Sequence, residues 1–336
     1  MTVIDLLASS PGYFIGTCLV LGLLVGSFLN VVIYRVPVML DREWREQCAE
    51  IARLDAATAA EPTAHASKGG KQPPSASADG AMGTPATGPA DASAPAGKTP
   101  FNLIVPRSAC PACNAPITAL QNIPVISYVF LRGRCANCGT RISPRYPLIE
   151  ILTAILSAAV AWKFGFGLTA AAGLVLTWFL VALTFIDIDH QLLPDTLTLP
   201  LLWAGLCLSL WGSEAAGGPV PVDMHSSIVG AIAGYLSLWS VYHLFRLVTG
   251  KEGMGYGDFK LFAALGAWLG WKMLLPLVLI AALVGAIVGI AMLARRGQGT
   301  GTPIAFGPFL AASGWLMLMF GQELVTGYLG MFAPRP

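Results

Sequence analysis

The stretch LTAAAGLVLTWFLVALTFIDIDHQLLPD, Leu168–Asp195, decides how the rest of the chain must be read. No charged residue occurs from Leu168 to Ile186, and at about 1.5 Å per residue that run is long enough to cross most of a hydrocarbon layer about 30 Å thick. Three acids and a histidine then arrive together: Asp187, Asp189, His190 and Asp195. The whole chain has the same character. Of its 336 residues 55% are hydrophobic and 11% charged, against about 25% charged in soluble domains. A water-soluble globular protein is excluded, and the net charge of +2 gives no reason to expect a nucleic-acid partner.

Working outward, further apolar runs of spanning length occur at 12–34, 148–166, 195–212, 226–248, 273–294 and 304–332. An eighth, 259–271 (FKLFAALGAWLGW), is short because Lys272 and Pro276 interrupt it. The expected fold is therefore an all-α polytopic membrane protein with about eight transmembrane helices. With eight crossings and an external N-terminus, every Lys and Arg except Lys163, Lys272 and Arg335 falls in an inner segment. Basic residues are retained on the cytoplasmic side, which sets the orientation as N-out and C-out. The N-terminus lacks the basic region of a signal peptide, so residues 1–40 read as a retained first transmembrane helix.

The large inner segment divides by composition. Residues 41–61 have helix-forming residues, either extending the first helix or lying on the membrane surface. Residues 62–100 are almost entirely Ala, Pro, Gly, Ser and Thr with no aromatic residue, too poor in apolar surface to offset chain entropy. The interval 41–100 thus reads as a cytoplasmic helix followed by a disordered insertion. Residues 101–147 form a small folded module, and 148–336 the transmembrane core.

Within the module, CPAC at Cys110 and Cys113 and CANC at Cys135 and Cys138 are two knuckles at near zinc-ribbon separation. Two thiolates two residues apart can reach one tetrahedral ion, so the four cysteines are candidate ligands of Zn2+. A site closed by four thiolates leaves no position for water, so its role is structural. Redox pairs and disulfides are the competing readings, and a cytoplasmic location disfavours stable disulfides. Cys18, Cys48 and Cys207 have no partner at useful spacing. Between the knuckles Arg132, Gly133 and Arg134 form a basic turn, either a solvated positive flank or a receptor for an anionic group such as a cofactor carboxylate.

Acids at a membrane boundary are expensive, and no Lys or Arg offsets them between Lys163 and Arg246. Pro194 and Asp195 also read as a helix start, with Asp195 as N-cap. A second cluster, EGMGYGDFKLF, leads through Gly253, Gly255 and Gly257 to Asp258 and Lys260. Spaced glycines allow close backbone approach or positive φ, and Asp258 stands where a helix dipole or a simple N-cap role would suit it. Two nearby carboxyls cannot both ionise easily. One then stays protonated while the other takes a proton from water, which is aspartic-protease chemistry.

At this point the motifs GSFLNVVIYRVP (Gly26–Pro37), RSACPACNAPI, NIPVISYVFLRGRCANCGTRISPRYPLIE, FIDIDHQLLPD and GYGDFKL, in this order, closely resemble the bacterial type IV prepilin peptidases, a branch of the GxGD intramembrane aspartic proteases. The resemblance covers nearly the whole chain outside 41–100. It implies catalytic aspartates at Asp187, the first acid of the D-(six residues)-P-D motif, and at Asp258, the acid of GxGD. Asp189, Asp195, Gly255, Gly257 and Lys260 would support them, and positions two apart on a helix do point about 200° from one another. Lys260 would tune the local charge or bind substrate, or would snorkel at the boundary. The implied reaction removes a short basic leader from type IV prepilins or type II secretion pseudopilins, after which S-adenosylmethionine methylates the new N-terminal amine. It implies the bacterial inner membrane and no nucleic acid. Methyl transfer would belong to the cysteine-bearing module, with Gly133 as a cofactor-lining turn. Two other readings stay open: a GxGD protease for other membrane substrates, and an ion-coupled carrier using Asp187 and Asp258.

Overall fold

The computed structural model describes residues 2–60, 101–118, 120–212, 222–251, 253–296 and 305–332, and among them the chain is helical with no strand. The insertion expected at 62–100 lies outside the described residues. Two units separate: Met1–Val38 with Arg107–Pro336, and Met39–Pro106. In the second, the chain stays helical from Met39 to Ala60, stapled by an Asp41–Arg45 ion pair at 3.0 Å one turn apart, and Arg42 stacks its guanidinium 4.0 Å above the Phe101 ring.

The first unit carries the membrane helices. After the short α1 (Val3–Ser9) comes α2 (Pro11–Ala60, continuing into the second unit), and after α3 (Ile126–Phe130) come α4 (Arg145–Phe164), α5 (Leu168–His190), α6 (Asp195–Leu208), α7 (Met224–Thr249), α8 (Tyr256–Leu269), α9 (Leu274–Arg296) and α10 (Gly307–Phe332). All eight apolar segments expected from the sequence are helical. Six of them, α2, α4, α5, α7, α9 and α10, are long and apolar enough to cross a membrane. The other two, α6 and α8, have 14 residues each, which at 1.5 Å per residue is about 21 Å and short of the hydrocarbon thickness. The protein is therefore a multi-pass membrane protein whose two shortest apolar helices depend on their neighbours for cover.

Burial shows how that cover is arranged. Asp258 to Trp268 of α8 is buried at every position except Lys260, because α8 packs against α7, α6 and α10 at once. Its partner α7 approaches through small residues: a Cβ at Gly230 would lie 2.2 Å from the Gly266 carbonyl oxygen, and one at Gly234 2.7 Å from that of Phe262. In lipid, where apolar side chains gain nothing by leaving their solvent, such backbone contact is what holds helices together. Conversely, α9 exposes Leu275, Leu279, Leu283, Ile287 and Ile290 at one-turn spacing, a face fit for acyl chains. Phe259, Phe262, Leu265, Leu183, Leu201 and Leu310 form the core in the middle.

The Gly230 contact predicts that Gly230→Val lowers the melting temperature of the purified protein in detergent, with a cost of about 1–3 kcal/mol. Gly16→Ala, at a position with open space around its missing Cβ, should leave that temperature unchanged or slightly raised.

Candidate active site

The acids brought together at one end of the bundle sort into two kinds. Asp187, in the last turn of α5, is 4% exposed, and Asp258, third residue of α8, is 7% exposed. Among the described residues, the buried side-chain oxygens and nitrogens with no hydrogen-bond partner are Asp187 Oδ2 and Asp258 Oδ1. Burying a polar atom without a partner costs roughly 1–3 kcal/mol, and both such atoms belong to the two motif acids. The other two acids are satisfied. Arg145, first residue of α4, grips Asp189 with both arms of its guanidinium at 2.7 and 2.5 Å, and Lys260 holds both oxygens of Asp195 at 2.6 and 2.7 Å.

Shared contacts link the surroundings of the two carboxylates. Leu193, in the α5–α6 connection, lies against both Gly257 and Gly307: a Cβ at Gly257 would stand 2.6 Å from Leu193 Cβ, and one at Gly307 3.1 Å from Leu193 Cδ1. Gly307 in turn abuts Asp187, since its Cβ would be 2.5 Å from Oδ2. Asp187, the first turn of α10, Leu193 and the first turn of α8 are thus joined through packing contacts. The N-terminal end of α10 turned toward Asp187 adds the favourable end of a helix dipole.

Several expectations change in detail. Asp195 does not cap α6: Pro194 holds the cap position, no side chain caps there, and the carboxylate goes to Lys260 instead. Nor is Asp258 an N-cap, because the helix starts two residues earlier and Gly255 occupies the cap. None of Gly253, Gly255 and Gly257 has positive φ. Gly257 is required by its closeness to Leu193 and Gly253 by Phe245, while a Cβ at Gly255 would meet only Asp258 Oδ2 at an ordinary 3.7 Å. Lys260 is not a free snorkelling residue but half of an ion pair. Arg145, Leu193 and Gly307 were not singled out in the sequence. Arg145 reads there as one more inner basic residue, and Gly307 belongs to no motif.

The cysteine module is built from two copies of one turn. In the first, Cys110 N–H donates to the Ala115 carbonyl at 3.0 Å and Asn114 N–H to Cys110 O at 2.9 Å. In the second, Cys135 N–H donates to Thr140 O at 2.8 Å and Gly139 N–H to Cys135 O at 3.0 Å. The fourth residue after the leading cysteine has positive φ in both, Asn114 at 54° and Gly139 at 73°. Single bridges, Ala109 to Pro116 and Arg134 to Arg141, close the turns. The four Sγ atoms all lie within 4.8 Å of one another, with Cys110 and Cys138 at 3.8 Å. Four thiolates about 2.3 Å from one zinc would be spaced about 3.8 Å apart, so the cluster is compatible with zinc. The Thr140 hydroxyl, and then its backbone N–H, push the Cys138 thiol down to about 6, and the Asn137 side chain, donating to Cys113 Sγ at 3.5 Å, lowers that thiol also.

Next to this module a cavity of about 550 Å3 is lined by Tyr128, Arg132, Gly133, Arg134, Arg141 and Ser143. Gly133 has φ of 66°, and a Cβ there would press on the Tyr128 hydroxyl at 2.8 Å. Glu150 of α4 reaches back to the module, accepting from Val125 N–H at 2.8 Å.

Fold and site together define a class: a polytopic membrane protein with two buried, uncompensated aspartates at adjoining helix ends and a four-cysteine module beside them. Residues 20–164 match the Bacterial Peptidase A24 N-terminal domain and residues 174–290 the Type IV leader peptidase family. The chain belongs to the type IV leader peptidase family. It is 47% identical to a prepilin leader peptidase/N-methyltransferase of Stutzerimonas stutzeri over 329 residues, 98% of each chain. The protein of the same name from Aeromonas hydrophila is 46% identical over 98% of each chain, and that of Neisseria gonorrhoeae 45% over 93% of this chain and 92% of its own. No solved structure matches the chain.

The donor set predicts about one zinc per purified chain by elemental analysis. Cys135→Ser should reduce it to a small fraction, whereas Cys207→Ser, outside the cluster, should not.

Proposed function

We propose that the chain cleaves the basic leader peptide from type IV prepilins and type II secretion pseudopilins with Asp187 and Asp258 as its catalytic pair, then methylates the new N-terminal amine. What carries the cleavage reading is the pair of buried, unpartnered carboxylate oxygens, beside Asp189 and Asp195, each of which has its own cation. The family membership and the names of the relatives support both activities.

The chemistry follows from the environment of the two acids. Two carboxyls sharing a buried site hold one proton between them. The ionised aspartate takes a proton from water as the oxygen adds to the scissile carbonyl, and the protonated one donates to the carbonyl oxygen. When the tetrahedral intermediate collapses, the C–N bond breaks and a proton passes to the leaving amine. The leader departs with a new carboxylate and the mature chain keeps a free amine. Leu193 packs against Gly257 and Gly307 beside the acids, and Ile186 and Phe259, their chain neighbours, are fully buried. Both acids sit at the ends of their helices, so the site suits a substrate whose charged leader lies in water and whose next segment lies in lipid. We place that boundary on the cytoplasmic side of the bacterial inner membrane, where the basic residues of the chain gather.

S-adenosylmethionine would supply the methyl group for the second step. The residues present fit it: the cavity beside the cysteine module is of cofactor size, Gly133 keeps a side chain out of it, and Arg132, Arg134 and Arg141 can receive a carboxylate. The four-cysteine cluster, which would hold a structural zinc, shapes the two turns from which Arg134 and Arg141 project. Residues 1–40 and 148–336 then make the membrane part of the enzyme and 101–147 its methyl-transfer module.

Co-expressed with a prepilin, Asp187→Asn and Asp258→Asn should each remove leader at less than about a thousandth of the wild-type rate; wild-type processing by either would overturn the pair. In contrast, Arg134→Ala should leave cleavage intact while mass spectrometry finds the mature pilin largely unmethylated.

A further inference from the structure

Each acid of the proposed pair is followed two residues later by a charged side chain, Asp189 after Asp187 and Lys260 after Asp258. Both are locked into close, two-point ion pairs with another element. Asp189 is gripped from the first residue of α4, and Lys260 grips the first residue of α6. Two residues on a helix are about 200° apart, so each ion pair lies on the side of its helix facing away from the buried acid. A contact there leaves the carboxylate untouched but fixes the rotation of the helix that bears it.

The lever arm is long enough to matter. A carboxyl group stands about 6 Å from its helix axis, so a rotation of 20° moves it by about 2 Å. Misplacing a reacting group by even 1 Å can cost about 100-fold in rate. Elsewhere these helix ends are held by packing, Gly257 against Leu193 and Asp187 against Gly307, and the ion pairs add a directional hold. The last residue of α5, His190, is exposed, and Gln191 beyond it turns into the left-handed region at φ 51°; α8 begins without a side-chain cap. Arg145 adds a second hold by lying 5.4 Å over the ring of Phe185, one half-turn before Asp187.

We propose that Arg145 and Lys260 are positioning residues for leader cleavage, each setting through its ion pair the rotation of the helix that presents one member of the aspartate pair. Because Arg145 directly follows Ser143 and Pro144 of the arginine-lined cavity, its clamp also ties the methyl-transfer module to the helix bearing Asp187. This rests on Asp187 and Asp258 being the cleaving pair.

The test is leader-cleavage kinetics of the purified full-length protein in detergent with a purified prepilin. Arg145→Ala and Lys260→Ala should lower kcat about 10- to 100-fold with KM changed by less than about threefold, and the pH limbs of kcat should keep their midpoints. Arg145→Lys should recover only part of the loss, because a single ammonium cannot reproduce the fork. The exchange Arg145→Asp with Asp189→Arg should exceed either single change in activity. Should Arg145→Ala fail to accumulate in membranes, Arg145→Lys and Asp189→Asn carry the same comparison. Unchanged kcat, a loss confined to KM, shifted pH limbs, or no gain in the exchanged pair would each overturn the proposal. Asp187→Asn and Asp258→Asn in the same assay separate the two levels: wild-type cleavage by these removes the pair itself, whereas inactive pair variants beside a fully active Arg145→Ala and Lys260→Ala remove only the clamps.

Discussion

A helix of 14 residues cannot cross a hydrocarbon layer about 30 Å thick, and α8 is such a helix. Left against lipid, it would bring its unsatisfied end groups, and Asp258 with them, into a medium that cannot solvate them. It must be enclosed by longer neighbours, and α7, α6 and α10 do this. The enclosure explains why α7 meets it backbone to backbone at Gly230 and Gly234, and why ten positions of a short helix are buried. It also explains how a carboxylate at the third residue of that helix comes to be shielded from both water and cations.

Charge is then distributed by a simple economy. Of the described acids of the two motifs, Asp187, Asp189, Asp195 and Asp258, cations reach two. Those two pairs are partly open to solvent, where an ion pair by itself contributes only modestly to stability. Their geometry therefore matters more than their strength, since each is anchored two residues from a buried acid. The remaining two acids bear an energetic penalty that only a ligand, water or a proton can relieve. Sites of this kind are where a fold gives up stability for chemistry.

The cysteine module works on a different principle. It has no sizeable apolar core: α3 has no buried residue and Phe130, Val129 and Ile126 are exposed. Its two turns repeat one hydrogen-bond pattern, and what would fasten them to each other is the ion that four converging thiols invite. Glu150 and Arg145, both from the first turns of α4, connect this module to the membrane helices, one through the Val125 amide and the other through Asp189.

Much of this was legible in the chain because it follows from local pattern. Uncharged runs of spanning length define the helices whatever their partners, the CPAC and CANC spacing brings four thiols within reach of one ion, and the acids of FIDIDHQLLPD and GYGDFKL stand out against an apolar background. The alternation that points Asp187 and Asp189 to opposite sides is likewise a property of one helix. Which acid receives a cation is not local. Arg145 precedes Asp189 by 44 residues and Asp195 precedes Lys260 by 65, so no spacing rule joins them. Gly307, 120 residues beyond the acid it abuts, has no mark of its own. Sequence alone determined the helices, the thiol cluster and the candidate acids. Only tertiary structure decided which of those acids are neutralised and which are left buried without a cation, because that depends on distances between helix ends set by how α8 is enclosed.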